Sequence, residues 1–293
     1  MPAVTESMMY SALAKSISQA EVQVQRSQEQ AATGLRVSRP DQDPVAAAQS
    51  SLYTDSLAAL AAMTQAGNAA LSSLSHTDLV LQATQHILAS AEEMAIAAGS
   101  ANVYPEQLTA LSAGATALHD QLLALANAQE NGTYLFAGFS GSEPFVADGT
   151  YLGDDNMRMV EVSPGLQVPM NLPGSQVFNV AGGQNILQIL QDFSVALAAN
   201  DSSGVDDAIS NIQRSIVQVG AANARVGVYM QQAEGAQQTR SSTEFLLRDD
   251  RSKTVEIDTA ASMTELVRAQ NAYQAAITEA ARILQELDGG LLR

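Results

Sequence analysis

Apolar residues recur every three or four positions along most of the chain, the period of a helix that buries one stripe. At both ends that stripe is thin. In the last helical stretch, 255–287, it runs Met263, Leu266, Gln270, Tyr273, Ile277, Ala280, Leu284 and Leu287, an unbroken a/d heptad pattern of the kind that supercoils against a partner. Near the start it runs Tyr10, Leu13, Ile17, Ala20, Val24, Ser27 and Ala31. So few bulky side chains release too little hydrophobic free energy to offset the entropy of ordering so long a stretch. Backbone hydrogen bonding recovers only part of the difference. Both ends are therefore expected to be poorly folded in a lone subunit and to become helical by packing on other chains.

Between the ends the punctuation is clear. Thr33-Gly34 suits a helix C-terminus, and 35–42 forms a compact connector in which Pro40 forbids helix and holds Arg39 extended. Asp43-Pro44 restarts a helix, with a carboxylate at the N-cap and proline at N1. The pattern then runs through Leu57, Leu60, Leu71, Leu74, Leu81, Leu88 and Met94 to Ala98, a rod of about 80 Å. A break over 99–102 precedes a second helix with Pro105 at N1. Asn131-Gly132 signals a turn, and 134–183 gathers prolines, glycines and short apolar runs that predict a small, mostly β insertion. Helical periodicity returns at Asn185 and, after a turn at 201–204, a long helix carries Val205, Ile209, Ile212, Ile216, Val219, Asn223, Val226, Met230 and Ala233. It should lie antiparallel to the first rod, bringing both chain ends to one pole. Asp258 is a good N-cap for the last helix, and Gly289-Gly290 is expected to close it.

The fold class is thus mainly α: long antiparallel helical rods with coiled-coil terminal helices and a small mostly-β insertion at the distal tip. Five segments follow: 1–42, an assembly helix and connector; 43–133, the first rod helices; 134–184, the β-rich tip; 185–252, the return rod helices; and 253–293, the second assembly helix.

Composition narrows the function. The chain is 46% hydrophobic but only 4% aromatic, without tryptophan, which fits helices packed through small side chains and fits a large apolar pocket poorly. A net charge of −17, with Lys15 and Lys253 the only lysines, repels phosphate backbones and anionic lipid, so neither nucleic acid nor membrane is an expected partner. The lack of cysteine removes disulfides, thiolate catalysis and Cys-ligated metals. Residues 1–14 have no basic start or sustained apolar core, so no cleaved secretory signal is expected.

No catalytic, metal or cofactor site is expected. Asp41 and Asp43, set between two prolines, fit turn and capping roles. His76, His86 and His119 lack the i, i+4 spacing of a helical metal site. Gly138-Phe139-Ser140-Gly141-Ser142 misses the last glycine of a nucleophile elbow. Gly182-Gly183 lacks the spacing and basic residue of a phosphate loop, the Asn131-Gly132-Thr133 sequon is explained by its turn, and Met8-Met9-Tyr10 fits packing surface. Arg36 and Arg39, on a stiff connector, are either solvated surface or paired with carboxylates of a neighbouring subunit.

Gly34-Leu35-Arg36-Val37-Ser38-Arg39-Pro40-Asp41-Gln42-Asp43-Pro44-Val45-Ala46 resembles the N-terminal signature of the bacterial flagellin family. Its Arg-x-Pro…Asp-Pro-Val form is similar to the family's hook–filament junction branch more than to flagellin itself, and Gln42 stands where an acidic residue is usual. Ser7-Met8-Met9-Tyr10, Gly132-Thr133-Tyr134-Leu135-Phe136-Ala137-Gly138 and Val255-Glu256-Ile257-Asp258 extend the likeness over 1–140 and 205–293. The resemblance implies a structural protein exported through the flagellar channel without a cleaved signal. It would assemble with copies of itself and with other axial proteins, a neighbouring hook-associated protein and flagellin among them, and use an export chaperone. The terminal seams would pack into the inner tube, with Gly34, Arg36, Arg39, Pro40, Asp43 and Pro44 forming the signature connector. A short flagellin is the alternative within the family; a cytoplasmic coiled-coil adaptor is the alternative outside it.

Overall fold

The computed structural model describes residues 2–100 and 104–291, and the side chains of 7–100 and 104–285. Six helices dominate: α1 (Pro2–Thr33), α2 (Pro44–Ala98), α3 (Pro105–Ala126), α4 (Ile186–Ala199), α5 (Ser202–Val255) and α6 (Thr259–Leu291). Between α3 and α4 lie β1 (Gln129–Glu130), β2 (Thr133–Tyr134), β3 (Met159–Ser163) and β4 (Leu166–Pro169). The chain divides into two compact units, one formed by Met1–Ala59 with Thr243–Arg293 and one by Leu60–Ser242.

In the Leu60–Ser242 unit, α2 buries Ala70, Leu74, Thr77, Leu81, Thr84, Leu88, Ala91 and Ala95, a strict three–four repeat. The buried repeat of α5 is Val205, Ala208, Ile212, Ser215, Val219, Ala222, Val226, Ala233 and Ala236. Three larger residues of the expected α5 stripe, Ile209, Ile216 and Met230, sit half-buried at its edge. Small residues occupy the centre because they allow the closest approach between helices. Asn223 Nδ2 donates to Asp78 (3.0 Å) and Gln213 Nε2 to Glu92 (2.9 Å), so the two helices run antiparallel, as expected. Helix α3 begins at Pro105, whose N-cap Tyr104 donates its N–H to Gln107 Oε1 at 3.1 Å. Helix α4 packs on α3 and starts at Asn185, whose Oδ1 accepts the Gln188 N–H. Asn200, with φ +51°, separates α4 from α5, a tighter turn than the sequence suggested. The expected break after α2 begins at Gly99; its residues 101 and 102 lie outside the described residues.

The insertion departs further from expectation. It holds two small antiparallel hairpins, and most of its residues are in turns and irregular chain. The first hairpin has its two-residue turn at Asn131 (φ +51°) and Gly132 (φ +78°), a geometry that asparagine–glycine pairs favour. Strand alternation does not organise its interior; rings do. Phe145 lies 5.0 Å from Tyr151 and 5.4 Å from Phe178, and Phe136 meets Phe178 edge-on at 5.0 Å. The Tyr151 hydroxyl sits 2.7 Å from the Asp154 carbonyl and 2.9 Å from that of Phe136, and burial pushes its pKa up to about 12. The Asp154 carboxylate accepts the N–H groups of Phe139 and Asn156, which hold its pKa below the ordinary aspartate range.

Gly138 closes this knot. Its φ is +69°, and a β-carbon there would stand 2.2 Å from the Asp154 carbonyl oxygen. Gly138→Ala should lower stability by at least about 2 kcal/mol, measured by urea unfolding, because strain and collision add at one position.

Candidate assembly interface

Helices α1 and α6 pack on each other in the unit that holds both chain ends. The α1 face is the expected one: Leu13, Ile17, Ala20, Val24 and Ala31 are half-buried, Ser27 is buried, and Tyr10 is exposed at its outer end. On α6 the packed face is Ser262, Leu266, Ala269, Tyr273, Ala276, Ala280 and Ile283, again a three–four repeat. It shares Leu266, Tyr273 and Ala280 with the expected seam. Met263, Ile277 and Leu284 instead remain 51%, 43% and 41% exposed, joined by Val267 at 55%. The Leu287 side chain lies outside the described residues. The small residues Ser262, Ala269 and Ala276 mark where α1 approaches, and the larger ones one position along are left facing solvent.

The helix continues through Gly289 and Gly290 to Leu291 instead of closing at the glycines. Glycine in a helix costs about 1 kcal/mol relative to alanine but does not forbid it. The other end behaves as expected, with Asp258 Oδ1 accepting the N–H groups of Ala260 (2.7 Å) and Ala261 (3.3 Å).

A clasp fixes how the two helices meet. Gly34, at φ +69°, ends α1 by donating its N–H to the Gln30 carbonyl, 2.8 Å away. Its own carbonyl accepts the Ile257 N–H at 2.9 Å, and Arg36 N–H donates to the Val255 carbonyl at 2.7 Å. These bonds place the end of α1 beside the start of α6, so the helices run antiparallel. Beneath them Val37, Ala46 and Val255 form a small buried cluster with Leu35 and Ala47 at its edge.

Both connector arginines find partners in their own chain. Arg36 donates to Asp43 Oδ2 (3.2 Å) and to the Thr254 carbonyl (2.7 Å) near the end of α5, where a cation is favoured. Arg39 pairs with Glu29 across 3.1 Å. The expectation that they reach carboxylates of a neighbouring subunit is corrected to that extent. Glu29 also accepts from Ser38 Oγ, and Gln42 Oε1 accepts the Ser38 N–H, the task of the side chain that replaces the usual acid. Pro44 occupies N1 of α2, and Asp43 Oδ1 accepts the Ala46 N–H at 3.1 Å. That bond first, and Arg36 second, hold the Asp43 carboxyl below its ordinary pKa. Pro40 sits in the turn between, exposed.

Of the histidines, His119 lies 3.2 Å from Asp120 and His76 lies 3.8 Å from Glu130. Among the described residues no three His, Asp or Glu side chains converge, and no helix is long and apolar enough to cross a membrane.

Residues 4–140 match the family model described as the bacterial flagellin N-terminal helical region. That match spans just under half of the chain. It is 24% identical to flagellar hook-associated protein 3 of Escherichia coli, over 92% of each chain. It is 28% identical to flagellar hook-associated protein 3 of Salmonella typhimurium, over 60% of this chain and 56% of that one. The fold matches the crystal structure of FlgL from Bacillus cereus with a TM-score of 0.61 at 22% identity, over 69% of this chain and 99% of that one. It also matches hook-associated protein-3 of Legionella pneumophila, with a TM-score of 0.63 at 15% identity, over 69% and 98%. The flagellin family is a structural one.

Because the folded Asp43 pKa is depressed, its contribution to stability is present above the unfolded value of about 3.9 and is lost as pH falls through the lower folded one. Carboxyl titration by NMR should place Asp43 below that unfolded value. In Arg36→Gln the titration should move back up only part of the way, since the Ala46 N–H remains.

Proposed function

We propose that this chain forms the junction between the flagellar hook and filament and polymerises through α1 and α6. One observation carries the reading: the two helices meet through a seam of mostly small residues, while α6 keeps a second apolar row, Met263, Val267, Ile277 and Leu284, facing solvent. Met8, Met9, Tyr10 and Val22 are likewise exposed on α1. These side chains are already about half buried, so covering each with a neighbouring copy yields roughly 0.7–1.5 kcal/mol. The names of the Escherichia coli and Salmonella relatives support the junction role over a short flagellin or a cytoplasmic adaptor.

The seam residues Tyr10, Leu13, Ile17, Val24, Met263, Leu266, Tyr273, Ile277, Leu284 and Leu287 then serve in two ways. Some hold α1 to α6 and the rest meet neighbouring subunits. The signature connector of Gly34, Arg36, Arg39, Pro40, Asp43 and Pro44 sets the angle from which the paired helices leave. Copies of this chain, flagellin and a neighbouring hook-associated protein are the partners, with a chaperone protecting the ends before export. The destination is the extracellular flagellum, reached through the flagellar export channel.

Ile277→Glu with Leu284→Glu leaves the packed row of α6 intact. In cells carrying this form as their only copy, the protein should reach the medium, hooks should persist and filaments should be absent by electron microscopy. Normal filaments would refute the reading. In the isolated subunit, amides of the first forty or so and last thirty-five or so residues should exchange far faster than those of the buried rows of α2 and α5, as expected for termini held by few apolar contacts. Equal protection would remove the coupled-folding part of the proposal.

A further inference from the structure

The unit that holds both chain ends has a recess of about 320 Å³ between the connector, the start of α2 and the end of α5. Leu35, Val37, Pro40 and Val255 make most of its wall apolar. Its charged lining is Arg39 and Arg251, with no carboxylate beside them in the wall. Arg39 is taken by Glu29. Arg251 is half-buried on α5 and makes no hydrogen bond or ion pair among the described residues. A free guanidinium against an apolar wall is unexpected in a chain whose acidic residues outnumber its basic ones by 31 to 14.

The complement lies on the other side of α2. Val45, Ala48, Leu52 and Asp55 are exposed and recur at three- and four-residue intervals, so they form one stripe. At 3.6 residues per turn that stripe stands about 150° around the helix from Ala47 and Ser50, which line the recess. Leu52 is 65% exposed, and the Asp55 carboxylate one turn further on has no partner among the described residues. Leu246 and Asp250 make a similar pair on α5, but Asp250 already acts on Lys253 and adjoins Arg251 in the chain.

We infer that the recess takes the Leu52–Asp55 turn of a second copy, with Leu52 against the apolar wall and the Asp55 carboxylate on Arg251. The two surfaces differ and face different ways, so each copy gives its stripe to one neighbour and its recess to another. A contact of that kind propagates as a ring or a helical array and does not close as a symmetric pair. The inference rests on the reading that the chain polymerises, and it adds a contact that α1 and α6 do not supply.

The chain contains no cysteine, so two introduced thiols report the contact without background. Cells make two forms of the full chain, Asp55→Cys and a tagged Arg251→Cys, and a short bismaleimide is applied to isolated hook–filament structures. A product joining one tagged and one untagged copy should form in the mixture and in neither form alone. Its absence from structures that contain both forms would overturn the contact and leave polymerisation through α1 and α6 standing. A stronger product when Asp250→Cys replaces Asp55→Cys, or a link from Arg251→Cys to a different protein, would also overturn it. Charge reversal gives a second readout: as the only copy, Arg251→Glu and Asp55→Arg should each cut the share of cells bearing filaments at least about fivefold, and the two together should restore most of it. Unchanged filaments in both single forms, or no recovery in the double form, count against the contact alone. Hook–filament structures that lack the unmodified chain would remove the assembly reading as well.

Discussion

Alanine, serine and threonine recur among the buried positions of α1, α2, α5 and α6, at Ser27, Thr77, Thr84, Ala91, Ala208, Ser215, Ala222, Ala269 and Ala280. Side chains this short let helices approach closely, and what they lose in transferred apolar area they return in dispersion contacts between backbones. The arrangement has different consequences in the two units. Along α2 and α5 the small residues alternate with Leu74, Leu81, Leu88, Ile212 and Val219, and α3, α4 and the aromatic knot complete one continuous core. Along α1 and α6 there is no third layer within the unit. The same construction lies within a large core in one place and in a pair of helices in the other.

The clasp at 34–43 and 255–258 compensates by geometry. Two backbone bonds at Gly34 and Ile257 and at Arg36 and Val255 set the register of α6 against α1 before any seam residue is considered. Arg36 then reaches the end of α5 and the N-cap of α2 with one guanidinium. The ion pairs involved are exposed and individually weak. Their value is directional, since a planar guanidinium bonded on two sides holds its neighbours at fixed angles.

Much of this was legible in the sequence wherever a local rule decides the outcome. Pro44 and Pro105 at N1, Asn131-Gly132 in a turn, and the cap at the start of the last helix all depend on a few adjacent residues. Register depends on what lies opposite: of the expected α6 seam, Leu266, Tyr273 and Ala280 fall on the face packed against α1, while Met263, Ile277 and Leu284 fall on the exposed row beside it. The arginine partners were missed for a related reason. Glu29 lies on the last turns of α1, ten residues before Arg39, and no spacing rule connects a helix to the loop that folds back on it. In the insertion, the interior is made by Phe136, Phe145, Tyr151 and Phe178 from segments outside regular strands, which periodicity cannot detect.

The antiparallel pairing of α1 and α6 also determines how the unit meets mechanical load. A pull that separates the two chain termini acts first on the far end of the seam, around Tyr10 and Leu284, where the side chains are already exposed. Separation then travels inward a heptad at a time, each step breaking only a few small contacts. The hydrogen bonds at Gly34 and Ile257 are reached last. Tension between the ends is therefore met by progressive unzipping at low force, with a firm stop at the connector.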